Sequence, residues 1–148
     1  FLTHEDDVAD SALYAGHFGA TRIIHRADAG AAPDAEWVVE GERPISVSET
    51  FRIIPVPGHT KGSMALLYDD RFLFSGDHLW WNRERNKLGT PEHLVWNQAL
   101  LMKSVAALRD ERFEWVLPGH GDRIHLPAAE MGRQLKHLLE RRTPGTRS

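Results

Sequence analysis

The chain has 148 residues, 41% of them hydrophobic and 26% charged, with a formal net charge of −3. It is long enough for one globular unit with a core of its own, and the balance of charge gives no support for a nucleic-acid or anionic-membrane partner. It contains no cysteine, which excludes disulfides, thiolate metal sites and cysteine nucleophiles, so any metal must be held by His, Asp or Glu. No apolar run approaches the roughly 20 residues of a membrane span. No signal-peptide pattern opens the chain, and a cytoplasmic location is the expectation. Phe1-Leu2-Thr3 reads as the end of a strand that began earlier, so the natural protein is expected to extend N-terminally.

In chain order, Asp6 to about Phe18 is predicted as a helix, with Val8, Ala12, Leu13 and Ala15 near one face and Gly19 as its stop. Thr21–His25 is a β-branched strand, Ala27–Pro33 is turn-like, and Glu36–Val39 is a short strand. Phe51–Val56 is a strand running into Pro57-Gly58. Ser63–Tyr68 and Arg71–Ser75 form a hairpin across Asp69-Asp70. Pro91 to about Arg109 is predicted as a helix, with Leu94, Ala99, Leu101, Met102, Val105 and Leu108 as core candidates. Phe113–Leu117 is a strand before Pro118-Gly119. Pro127 to about Arg142 is the last helix. The polar tail 143–148 is expected to be disordered, leaving 1–142 as the domain. This mixed order predicts an α/β layered sandwich rather than a bundle or barrel.

Four segments carry ligand-type side chains: Thr3–Asp7, Pro57–Thr60, Ser75–His78 and Pro118–Asp122. Three of them follow a predicted strand and place Gly beside His or Asp. Glycine lets the backbone turn sharply there and point the side chain off the sheet end. Imidazole and carboxylate are natural ligands of Zn²⁺ and of Fe or Mn ions. Taken singly, each has a plain reading: a solvated His in a turn, acidic residues in a helix's first turn, an Asp capping a turn. Four such loops together are not explained by packing.

Their order resembles that of the metallo-β-lactamase superfamily, whose pattern is a His-x-His-x-Asp-His loop, a Gly-His, a Gly-Asp and a final Gly-His. Thr3–Asp10 is similar to the first loop, with His4 as its second His and Asp6 as its Asp. Pro57–Gly62 supplies His59, Ser75–His78 supplies the bridging Asp77, and Leu117–Asp122 supplies His120. The resemblance implies an αββα sandwich, of which this chain would be the later portion. It also implies a site of one or two divalent metal ions. The family's first His falls at Leu2 and its last His of that loop at Asp7. Carried over residue by residue, one metal would have His4, His59 and Asp77, and the other Asp6, Asp7, His120 and the shared Asp77. Such an oxygen-rich second site favours Fe or Mn over Zn alone.

The implied activity is metal-dependent hydrolysis of a small ester, thioester or similar substrate by a metal-bound hydroxide, with Asp6 also accepting a proton. Two alternatives stay open: a non-haem Fe(II) oxygenase using His4, His59 and Asp77, and a degenerate non-catalytic metal-binding domain. His78, Trp80 and Trp81 are candidates for substrate contact. Lys61, His125, His25 and Asp28 are read as structural or solvated, and His17, His93 and His137 as surface residues of helices. The expected partner is a small molecule, with no nucleic acid and no membrane.

Overall fold

Short apolar runs build the central sheet of the computed structural model, which describes residues 1–142; the expected disordered tail, 143–148, lies outside them. Six strands run in the order β10-β9-β6-β5-β4-β3. They are β3 (Ile45–Ser46), β4 (Phe51–Pro55), β5 (Met64–Tyr68), β6 (Phe72–Gly76), β9 (Trp115–Pro118) and β10 (Ile124–His125). Neighbours are antiparallel except β6 and β9, which are parallel. The predicted hairpin joins β5 to β6 through a three-residue loop, Asp69 to Arg71, in which Asp69 and Asp70 are at positive φ (56° and 45°), a conformation that Asp tolerates.

One face of the sheet packs on two helices, α2 (Gln98–Ala107) and α3 (Ala128–Arg142). Ile54, Ala65, Leu67, Leu73 and Val116 meet Leu101, Val105, Leu108, Met131, Leu135 and Leu138 in the main core. The opposite face is covered in part by a parallel pair, β1 (Ile23–His25) and β2 (Trp37–Val39). There Ile23 and Val39 pack on Ile53 and Met64, with Phe1 and Trp37 alongside.

The structure corrects several expected boundaries. Phe1–Thr3 makes one backbone bond to Ile23 and one to Met64, and is not itself a strand. The first helix is shorter than expected: Glu5–Asp7 forms a 3-10 turn, Ala9 has φ 36°, and α1 proper is Ser11–Phe18, capped by left-handed Gly19. Within it Ala15 is buried, but Ala12 and Leu13 face solvent. The Ala27–Pro33 region contains a 3-10 turn, Arg26–Ala31.

The expected Pro91–Arg109 helix begins only at Gln98, because Trp96 and Asn97 give their amides to the carbonyls of His59 and Gly58. Asn97 then caps the helix through its side chain, which accepts from Leu100 N. Leu94 is 91% exposed at positive φ, so it and solvent-facing Ala99 are not core residues. His93 accordingly lies in a loop, not a helix. A hairpin absent from the expected elements, β7 (Trp80–Asn82) with β8 (Lys87–Gly89), follows Asp77. Among the described residues, no helix is long and apolar enough to cross a membrane.

Candidate metal centre

His4 precedes the 3-10 turn in extended conformation (φ −168°, ψ 175°). Its ring goes inward, to 1% exposure, while Asp6 and Asp7 stay at the mouth. Leu2, at the position of the family pattern's first His, packs instead with Ile24 and Ala32.

His59 leaves the end of β4 in a loop closed by Val56 N to Ser63 O (2.8 Å) and Gly58 N to Thr60 O (3.0 Å). Gly58 sits at φ 153°, and a Cβ there would lie 2.3 Å from the Cα of Leu101. Only glycine lets helix α2 approach this loop so closely. Asp77 and His120 come from the ends of the parallel neighbours β6 and β9, so they emerge side by side. Gly119 N donates to Gly76 O at 2.9 Å, and a Cβ on Gly119 would stand 3.0 Å from Asp77 Oδ1.

The structure thus brings His4, Asp6, Asp7, His59, Asp77 and His120 together. His4 Nε2 lies 4.0 Å from Asp6 Oδ2, 3.7 Å from Asp7 Oδ2 and 3.6 Å from Asp77 Oδ2. His59 Nε2 lies 3.2 Å from Asp6 Oδ2 and 3.8 Å from Asp77 Oδ2. His120 Nδ1 bonds Asp77 at 2.9 Å and lies 3.5 Å from Asp7 Oδ2. Two donor sets, His4–Asp6–His59 and His4–Asp7–Asp77, each have their donor atoms within 4.8 Å of one another. Asp6, expected beside Asp7 and His120, thus also stands next to His59, while Asp77 lies near both His4 and His59 as expected of that set.

The donor set suits a cation. His4 Nε2 and both ring nitrogens of His59 are buried with no hydrogen-bond partner, which is costly unless something else satisfies them. His4 Nδ1 is hydrogen-bonded with Thr3 Oγ1 at 2.9 Å, which leaves Nε2 facing the carboxylates. Burial works against protonation of His4, but Asp77, Asp7 and Asp6 outweigh it and raise its pKa. Burial likewise acts to raise the Asp77 carboxyl, yet His4 and His120 bring it down to about 2. The hydrogen bond and charge of Asp77, with the charge of Asp7, raise His120.

The three residues expected to contact substrate separate. His78 is 1% exposed with both nitrogens unpartnered, and burial, with His59 adding, pushes it down to about 3. Trp81 is buried in the main core. Neither is open to a substrate from solvent. Trp80 is half-buried over Gly121 and Gly89, lining a cleft of about 550 Å³ with Arg85, His93 and Arg141. Of the residues read as structural, Lys61 lies over the Trp96 ring and His125 stacks on Trp115. Asp28 is more than structural filler: it is buried and bonds the amides of Glu5 and Gly62 and the hydroxyl of Thr60. No motif marks it in the sequence; the one available signal was a lone acid in a run of small residues.

No family model matches the chain. Among solved structures, the DIM-1 metallo-β-lactamase superposes with TM-score 0.61 at 18% identity, covering 94% of this chain and 66% of that one. ETHE1 from Myxococcus xanthus gives 0.60 at 20% identity, covering 97% and 68%. TTHA1623, solved in a di-iron-bound form, gives 0.58 at 24% identity, covering 95% and 72%. The chain has the metallo-β-lactamase fold. Two curated proteins match parts of this metallo-β-lactamase-fold chain. The hydroxyacylglutathione hydrolase of Stenotrophomonas maltophilia (strain R551-3) is 32% identical over 76 residues, and that of Anaeromyxobacter dehalogenans (strain 2CP-C) 35% over 79. These matches take in 51% and 53% of this chain but span only 30% of either relative's length.

Proposed function

We propose that the chain carries the metal centre of a metal-dependent hydrolase acting on a small ester or thioester. The observation that carries this reading is the convergence of two buried imidazoles, each with an unpartnered Nε2, on three carboxylates. The partial matches to hydroxyacylglutathione hydrolases support a thioester over other acyl substrates. The net charge of −3 favours a small-molecule partner over nucleic acid.

His4 and His59 would hold one divalent ion together with Asp6, and Asp7, Asp77 and His120 are placed to hold or orient a second. Zinc, iron and manganese all suit this mixture of nitrogen and oxygen donors. Such an ion supplies Lewis acidity, polarising an acyl oxygen and lowering the pKa of water to about 7. Asp6 is exposed at the mouth, where its free oxygen can take a proton from the attacking water. Asp77, hydrogen-bonded by His120, stays ionised and fixes the orientation of that imidazole.

The test is elemental analysis of chelator-free protein, followed by hydrolysis of a hydroxyacylglutathione thioester. At least one ion per chain and thiol release that stops on metal removal are expected. Well under one ion per chain would sink the enzyme reading. His4, His59 and Asp77 also form a two-histidine, one-carboxylate set, with Asp77 Oδ2 at 3.6 Å and 3.8 Å from the two Nε2 atoms, the donor type of Fe(II) oxygenases. Oxygen uptake with a thiol substrate by iron-loaded protein would favour that second reading, and no uptake by the iron-loaded protein would exclude it.

A further inference from the structure

We propose that Asp28 is a positioning residue, clasping the two loops that carry His4 and His59 so that metal affinity depends on a carboxylate that does not contact the metal. This rests on the reading of His4 and His59 as metal ligands.

The geometry is specific. Asp28 Oδ1 accepts from Gly62 N at 2.8 Å. Asp28 Oδ2 accepts from Thr60 Oγ1 at 2.5 Å and from Glu5 N at 3.1 Å. Thr60 and Gly62 flank His59 on one side, and Glu5 adjoins His4 on the other. A single buried side chain therefore ties both imidazole-bearing loops, while its own oxygens are used up by three donors. The tie continues inward. Since the Thr60 hydroxyl gives its proton to Asp28, Ser63 Oγ must donate to Thr60 Oγ1 (2.8 Å) while accepting from Thr60 N (3.0 Å). Asp28, Thr60 and Ser63 are all buried, so each proton in the chain has one direction to go. Position 62 must be glycine, because a Cβ there would lie 2.6 Å from Asp28 Cγ. His4 is held at Nδ1 by Thr3 of its own loop, and neither His4 Nε2 nor His59 has a hydrogen bond to the other loop. Their separation, with ring centroids 4.9 Å apart, is therefore set by the backbone on which they ride. Asp28 joins those two backbones at Glu5 and Gly62, in addition to the Met64 N to Thr3 O bond beyond the loop.

The experiment measures zinc affinity of the full chain by chelator competition for the unmodified protein, Thr60→Val, Thr60→Ser and Asp28→Asn. Thr60→Val keeps the side-chain shape and deletes the donor, so affinity should fall by about 10- to 100-fold, while Thr60→Ser should stay within about threefold. Asp28→Asn forces an amide donor against a backbone N–H and should weaken binding at least as much as Thr60→Val. It should also speed amide exchange at Glu5 and Gly62 in metal-free protein. A role confined to stability would lower the melting temperature of Thr60→Val without the affinity difference between Val and Ser. Equal zinc affinity for Thr60→Val and the unmodified protein overturns the clasp and leaves the metal centre standing. Unchanged exchange at both amides also overturns it. If the unmodified protein binds no zinc, iron or manganese, the metal reading fails, and the inference with it.

Discussion

At the scale of single residues, the six converging side chains are not equivalent. His4 and His59 are buried, and His4 Nε2 and both nitrogens of His59 have no hydrogen-bond partner, so these atoms are left for something other than the fold. His59→Ala should therefore abolish metal retention after dialysis, measured as ions per chain, and Asp77→Ala should do the same. His137→Ala, on the exposed side of α3, should leave metal content unchanged. His120 is largely exposed and bonded to Asp77. Its alanine variant leaves both buried imidazoles with Asp6 and with Asp77, whose Oδ2 lies 3.6 Å and 3.8 Å from their Nε2 atoms, so binding should persist at one ion per chain. If all these variants hold the same metal, the centre lies elsewhere. His59, Asp77 and His120 were legible in the sequence because each follows a strand beside a glycine, a local pattern. Asp28 was not legible: its partners are a hydroxyl and two amides far along the chain, and such a contact exists only after folding. The burial of His78 was equally hidden, because one residue's difference after a strand decides between mouth and core.

At the scale of elements, strand runs and turn residues carried most of the fold, and helix lengths carried least. The periodic apolar residues before Gln98 suggested a longer α2, but the amides of Trp96 and Asn97 are drawn to the His59 loop, a tertiary preference that overrides local propensity. That same packing makes Gly58→Ala costly. A methyl group 2.3 Å from the Leu101 Cα should cost at least about 3 kcal/mol, read from the urea midpoint, since the obstacle is backbone that cannot rotate away. The β1–β2 pair rests on a different device. Arg22 donates to both oxygens of Glu36 and to the carbonyl of Asp34. The Arg22 side chain and amide hold the Glu36 carboxyl at about 2, against 4.5 for the free group. A carboxyl with a lowered pKa stabilises the fold above its unfolded value and loses that contribution as pH falls toward the folded one. The stability difference between the unmodified protein and Glu36→Gln should be constant from pH 6 to 8 and shrink between about pH 4.5 and 2. A gap that stays the same at pH 3 would show that the ion pair contributes nothing.

At the scale of the whole molecule, the two faces of the central sheet are treated unequally. One is sealed by α2 and α3 over a continuous core. On the other, β1 and β2 cover only the β4–β5 end. Beyond them Leu66, Phe74, Leu117 and Pro118 line a groove of about 350 Å³ with Phe1, and Phe74 is 40% exposed. The unbroken apolar runs of β6 and β9 did not tell that Leu73 and Val116 would face the helices and Phe74 and Leu117 the other side, since apolar residues on both faces of a strand read as burial on both. Apolar surface left in water raises the free energy in proportion to its area and favours association. The chain on its own should therefore enhance the fluorescence of an apolar dye and sediment faster as concentration rises. Phe74→Ser together with Leu117→Ser should reduce both effects. Zinc content gives the control. Both side chains lie outside the donor sets of the metal centre, so the double variant should keep its metal. Undiminished dye binding with metal retained would place the sticky surface elsewhere, with exposed Leu13, Tyr14 and Phe18 of α1 the next face to test.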